Sequence, residues 1–311
     1  MHRTHGRSSA PFRILVLALA ASALAPVSAR AAVGEAGFSF LKIGVGARPI
    51  GMGSAYVALA GDPTAIYWNP AGLASTEGAQ VIAMHNEWIL DFKQEFAAVS
   101  RTVGSGALGL GLIGFYAGDQ LEKRDDVGTL IGHYGFNDLA ATLSYARRVR
   151  GHASLGGSVK FIREMIDQED ASAVAFDLGG QLAVGTSGLS LGAALQNLGG
   201  NAKFEDVSFP LPRTFRAGAA VSRPITALHG NGTLSAEVRS VRGNDSNVHL
   251  GGEFEYKQRL ALRAGVKTGY DDENVTFGLG LMRSRLRFDY ALVPHSSDLG
   301  TTHFFSLAAR L

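Results

Sequence analysis

The chain has 311 residues, among them 40 glycines and no cysteine, with 29 Lys and Arg against 27 Asp and Glu. The lack of cysteine excludes disulfides and thiolate metal sites, and the balance of charge leaves no electrostatic basis for nucleic-acid binding. Glycine exceeds its average share of about 7% but follows no Gly-X-Y period, which excludes a collagen-like chain.

Residues 1–13 carry Arg3, Arg7 and Arg13 without an acid, 14–24 form an apolar run of secretory length, and Ala29-Arg30-Ala31 offers an A-x-A cleavage site. A spanning helix needs roughly 20 apolar residues, and Pro26 ends this run well short of that. The sequence therefore predicts an exported protein with residues 1–31 removed. That leaves 25 Lys and Arg against 27 Asp and Glu, so the whole-chain isoelectric point near 8.9 is inflated by the export signal. After the signal no run approaches the 18 or so apolar residues of a spanning helix, so any crossing of a membrane uses strands.

Residues 38–74, FSFLKIGVGARPIGMGSAYVALAGDPTAIYWNPAGLA, differ from everything downstream. Glycines at 44, 46, 51 and 53 permit tight bends. Ser54 is placed to cap a short helix through Leu59 that stops at Gly61. Asp62 reads as a second N-cap with Pro63 as first helical residue, 65–68 make the turn, and Pro70 drives Asn69 out of the α region. The Gly51-Met52-Gly53 core is a poor phosphate loop, because no apolar strand precedes it and no Gly-Lys-Ser/Thr follows.

The run GARPIGMGSAYVALAGD followed by AIYWNPAGLA resembles the N-terminal signature of the PorV/PorQ family of outer-membrane proteins. The Asn69-Pro70-Ala71 turn also resembles the hatch of the FadL-type long-chain fatty-acid channels, which share that barrel architecture. The resemblance implies an N-terminal hatch, here residues 32–78, followed by a barrel over 79–311. It marks Arg48, Gly51, Gly53, Asp62, Trp68, Asn69, Pro70 and Gly72 as hatch or gating candidates. For function it implies a docking or transport component of type IX protein secretion, with secretion components and cargo C-terminal domains as partners. The FadL-like alternative is a channel for hydrophobic small molecules, its hatch shifting to open a lateral route.

From Ala79 onward, alternation dominates. Leu260, Leu262, Ala264 and Val266 interleave with Ala261, Arg263, Gly265 and Lys267, and Leu286, Phe288, Tyr290 and Leu292 with Arg287 and Asp289. A soluble sandwich would bury the oily face, whereas an outer-membrane barrel turns it to lipid and its charges to the lumen. About fourteen strands of roughly ten residues can be placed, the length a tilted transmembrane strand needs. Tight turns near 103–105, 150–151, 185–187, 257–258 and 283–284 alternate with longer loops at 118–135, 164–171, 199–212, 241–246 and 294–301, as periplasmic turns and outer loops should. The predicted fold is all-β: a transmembrane antiparallel barrel with a hatch of short helices, resident in the outer membrane and in contact with its lipid.

On this reading Glu253, Arg263, Lys267, Arg287 and Asp289 face the lumen, and a cation in the hatch needs an acid: Arg48 to a luminal carboxylate is the leading pair, with Asp62 as the competing partner or merely the cap. Gly278→Ser is expected to be tolerated. Trp88, Phe92, Tyr116, Tyr256, Tyr270 and Tyr290, near strand ends, are candidates for interfacial girdles. The histidines are scattered without HExxH spacing, and there is no Gly-x-Ser-x-Gly elbow. No catalytic residue, metal site or cofactor is expected, and the chain reads as a non-enzyme.

Overall fold

The computed structural model describes residues 37–204, 207–296 and 299–311, with the side chains of 119, 120 and 150 left aside. The expected export signal, residues 1–31, and residues 32–36 lie outside this range.

Among the described residues, fourteen strands form one closed antiparallel barrel. They are β1 (Ala79–Glu87), β2 (Lys93–Val103), β3 (Gly106–Arg124), β4 (Leu130–Arg150), β5 (Ala153–Ile166), β6 (Glu169–Val184) and β7 (Leu189–Gly199), then, after a two-stranded hairpin of β8 (Ala202–Phe204) and β9 (Val207–Phe209), β10 (Thr214–Ile225), β11 (Gly230–Val241), β12 (Asn247–Tyr256), β13 (Leu260–Thr268), β14 (Val275–Arg283), β15 (Leu286–Pro294) and β16 (Thr301–Arg310). Each barrel strand pairs with the next barrel strand in sequence, β7 with β10 across the hairpin, and β16 closes on β1 with Ala83 opposite Leu307. An even strand count lets the first and last strands meet antiparallel, which leaves no open edge.

Burial shows which face points where. On β13, Leu262 is 51% exposed while its neighbour Arg263 is 4% exposed, and the same alternation runs through β14. A soluble sandwich would show the reverse. Leu108, Leu110, Leu112, Leu143, Leu155, Phe161, Phe176, Leu279 and Leu307 continue this outward apolar band around the barrel.

Four expectations are corrected. Residues 118–135 and 164–171 are not long loops: β3 and β4 continue to a turn at 125–129, and β5 meets β6 at a two-residue turn, 167–168. Outward positions there are largely polar, so alternation no longer reports a strand although backbone pairing continues. The 199–212 loop carries the β8–β9 hairpin. Ser54 caps no helix. It lies at φ 62, the helix is α1 (Ala47–Gly51) instead, and the Tyr56 and Val57 N–H groups donate to the Glu237 carboxylate at 2.9 and 2.8 Å. An N-cap requires extended backbone, which Ser54 lacks. Finally, Trp88 and Phe92 pack inward, Trp88 against Phe304 and Phe92 against Phe115 and Phe136, and Tyr270 contacts His249. These three rings are not part of a girdle.

Candidate functional site

The segment 37–78 lies within the barrel and touches its inward face on nearly every side. A 3-10 turn Ser39–Lys42, helix α1, helix α2 (Ala65–Trp68) and a 3-10 turn Pro70–Ser75 give it four short pieces. Pro70 fixes the last junction as expected: Asn69 is extended at φ −167, and its Oδ1 accepts from Ala71 N at 3.2 Å. Asp62 holds the preceding bend, accepting from Thr64 N at 2.9 Å and from the Tyr56 hydroxyl at 3.3 Å.

Glycines of the wall let this segment approach backbone to backbone. A Cβ on Gly265 would stand 2.0 Å from Gly53 N, one on Gly192 2.4 Å from Val57 O, one on Gly156 2.5 Å from Ala71 N and Pro70 C, and one on Gly251 2.2 Å from Met52 O. Gly51 faces Gly278 so closely that a Cβ on Gly278 would meet Gly51 Cα at 3.1 Å. The expected tolerance of Gly278→Ser is therefore withdrawn: the position faces not an open lumen but another backbone. Gly53 is left-handed at φ 64 and Gly72 lies against Ala60 O.

Polar anchors complete the contact. Arg48 donates to both oxygens of Glu253, at 2.9 and 2.6 Å, and Arg263 donates to the same carboxylate at 2.6 Å. Arg263 also approaches Asp289 at 3.0 Å, and Arg287 donates to Asp289 at 2.8 and 3.0 Å. Five of the sequence-predicted residues thus form one cluster of three guanidiniums and two carboxylates. The bidentate Arg48–Glu253 geometry matches the planar fork of arginine. Lys267 stands apart, paired with Glu273 at 2.5 Å. Trp68 donates to Val45 O at 2.9 Å and stacks under Arg216 at 4.7 Å, and Asn69 donates to Val57 O and Gly180 O.

Sequence reading missed a second anchor. Arg216 pairs with Glu237 at 2.5 Å and with Gln196 at 3.0 Å, all three buried, and Gln196 in turn donates to Tyr67 O. Their inward parity was the available signal, but three separate strands supply them. His249 donates from Nδ1 to Gly53 O at 2.7 Å, because a carbonyl only accepts, and its Nε2 accepts from the Tyr270 hydroxyl at 3.0 Å. Burial holds the phenols of Tyr56 and Tyr270 above their ordinary range.

Towards the loop end lies a cavity of about 650 Å³, bordered by loop residues Asn244, Asp245 and Tyr270. Phe40, Ile43, Trp88, Phe115, Val293 and Phe304 make its apolar side, while Arg239, His249 and Lys267 line the other. Among the described residues no three His, Asp or Glu side chains stand as a metal-binding group.

A closed, even-stranded antiparallel barrel with an apolar outer band and a filled, charged lumen is an outer-membrane β-barrel. The chain belongs to the family described as Uncharacterised protein family (UPF0164), whose model matches residues 15–189. A comparison with curated proteins finds no match. Among solved structures the barrel is similar to the toluene transporter TbuX of Ralstonia pickettii, with TM-score 0.60 and 15% identity over 86% of this chain and 98% of that one. It is also similar to the toluene transporter TodX of P. putida, with TM-score 0.61 and 13% identity over 86% and 99% of the two chains. A Pseudomonas aeruginosa FadL homologue gives TM-score 0.54 and 13% identity over 85% and 97%.

Proposed function

We propose that this barrel is an outer-membrane channel for hydrophobic small molecules. The observation that carries the reading is the cavity of about 650 Å³ at the loop end, with Phe40, Trp88, Phe115 and Phe304 on its apolar side. Such a volume falls within the range of small-molecule sites, and its aromatic side faces a polar one that carries Lys42, Arg216, Arg239, His249 and Lys267. The likeness to barrels described as toluene transporters supports the same reading. Residues 37–78, the described part of the expected 32–78 hatch, stand between the cavity and the opposite mouth, with Arg48–Glu253 as the charged latch a passing molecule must skirt or open. The test is uptake of toluene into proteoliposomes, against glucose as a polar control. Faster toluene entry than into protein-free vesicles, reduced by Phe115→Asp, is expected; entry equal to that of empty vesicles defeats the proposal.

The signature at 46–74 favours a second reading, in which a PorV/PorQ-like barrel docks type IX secretion components and cargo C-terminal domains. Its support is the motif alone. Pull-down with such a cargo domain tests it, and failure to retain the domain removes it.

A further inference from the structure

Asp138 lies on the inward face of β4, 1% exposed, and neither of its carboxylate oxygens has a hydrogen-bond partner among the described residues. The sheet register sets its neighbours: Phe115 of β3 stands opposite on one side and Glu164 of β5 on the other. Directly opposed side chains have Cβ atoms about 4.5–5.5 Å apart, so two carboxyl groups are brought within reach of one small group. Glu164 accepts a backbone N–H from Phe38, and no described cation pairs with either acid.

Three phenyl rings gather at the same place. Phe92 stacks on Phe115 at 5.2 Å, Phe136 meets Phe92 edge-on at 5.6 Å and Phe115 at 6.1 Å, and Phe136 shares the face of Asp138 two residues away. Phe115, opposite Asp138 in the sheet, also lines the cavity.

Opposed like charges destabilise a sheet, and a buried carboxyl without a partner is costly. Calcium takes six to eight oxygen ligands, more than two carboxyl groups among phenyl rings supply. A primary ammonium on an apolar body suits the arrangement: its three N–H donors fit two carboxylates, and phenyl faces attract the cation and cover the hydrocarbon. We propose that Asp138 and Glu164 anchor a hydrophobic ammonium, an aryl- or alkylamine, whose apolar part packs against Phe92, Phe115 and Phe136. The ligand enters from the cavity by displacing the Phe115 ring. This inference rests on the reading of the barrel as a channel for hydrophobic small molecules and narrows the class it takes.

The experiment is isothermal titration calorimetry on the full-length barrel in detergent, with 2-phenylethylammonium as probe and phenylacetate as its anionic counterpart. The ammonium should bind at least about tenfold more tightly than the carboxylate, and Asp138→Asn should bring that ratio down by about tenfold. A ratio unchanged by Asp138→Asn, or no preference in the parent protein, overturns the proposal. Should Asp138→Asn fail to fold, Glu164→Gln carries the same test: a lower ratio sustains the proposal and an unchanged one overturns it. Toluene uptake separates the two readings. Toluene entry without ammonium preference ends the amine site and leaves the channel, whereas ammonium preference without toluene entry ends the channel and leaves the site.

Discussion

Gly251 and Gly252 are adjacent on β12, yet a methyl group added to each meets different surroundings. On Gly251 the new Cβ stands 2.2 Å from Met52 O and 2.9 Å from Ser235 Oγ, so the luminal segment has to move. On Gly252 the nearest atom is Leu234 Cδ2 at 3.6 Å, an ordinary contact on the outer face. Overpacking against backbone costs about 1–3 kcal/mol, while alanine in place of glycine within an element gains about 0.5–1 kcal/mol where space allows. The backbone gain is common to both variants, so they should differ by about 1–3 kcal/mol, with Gly251→Ala the less stable. Urea titration of the refolded barrel, followed by heat-modifiable gel mobility, measures this. Emission from Trp68, fully buried in the luminal segment, reports whether that segment has been displaced. Gly179–Gly180 repeats the contrast, at 2.1 Å from Asn69 Oδ1 against 3.6 Å from Leu155 Cδ2. Equal stabilities within either pair would refute the idea that the segment rests on wall glycines.

Leu279→Arg on the lipid-facing side of β14 should cost about 2–4 kcal/mol if it lies near the bilayer midplane, read from folding equilibria in liposomes. Glu253→Ala leaves Arg48, Arg263 and Arg287 with Asp289 alone and should destabilise the barrel by about 3–5 kcal/mol in urea titration, whereas breaking the exposed pair Lys123–Asp167 should leave the urea midpoint nearly unchanged. Asn69→Ala removes the acceptor of Ala71 N and the donor to Val57 O and Gly180 O. It should cost about 1–3 kcal/mol and make the luminal segment more sensitive to protease.

Fourteen barrel strands were legible in the sequence because strand periodicity is local: alternating Leu and Arg along β13 needs no knowledge of neighbouring strands. The turn at Asn69-Pro70 was legible for the same reason, since proline constrains the residue before it. Legibility stopped where pairing continued without an oily outer face, as in the far halves of β3 and β4. It stopped too where a partner came from a distant strand. Glu237 takes the N–H groups of Tyr56 and Val57 from 181 and 180 residues away, and with them the chance of a helix at Ser54. A lone glycine on the inward face of a strand gives no sign of whether it meets open lumen or another backbone, which is why the space at Gly278 was misread. Burial decided which face of the sheet points inward: the alternation of Leu262 and Arg263 is the same in a sandwich and in a barrel, and only closure of β16 on β1 around a filled lumen puts the arginine inside.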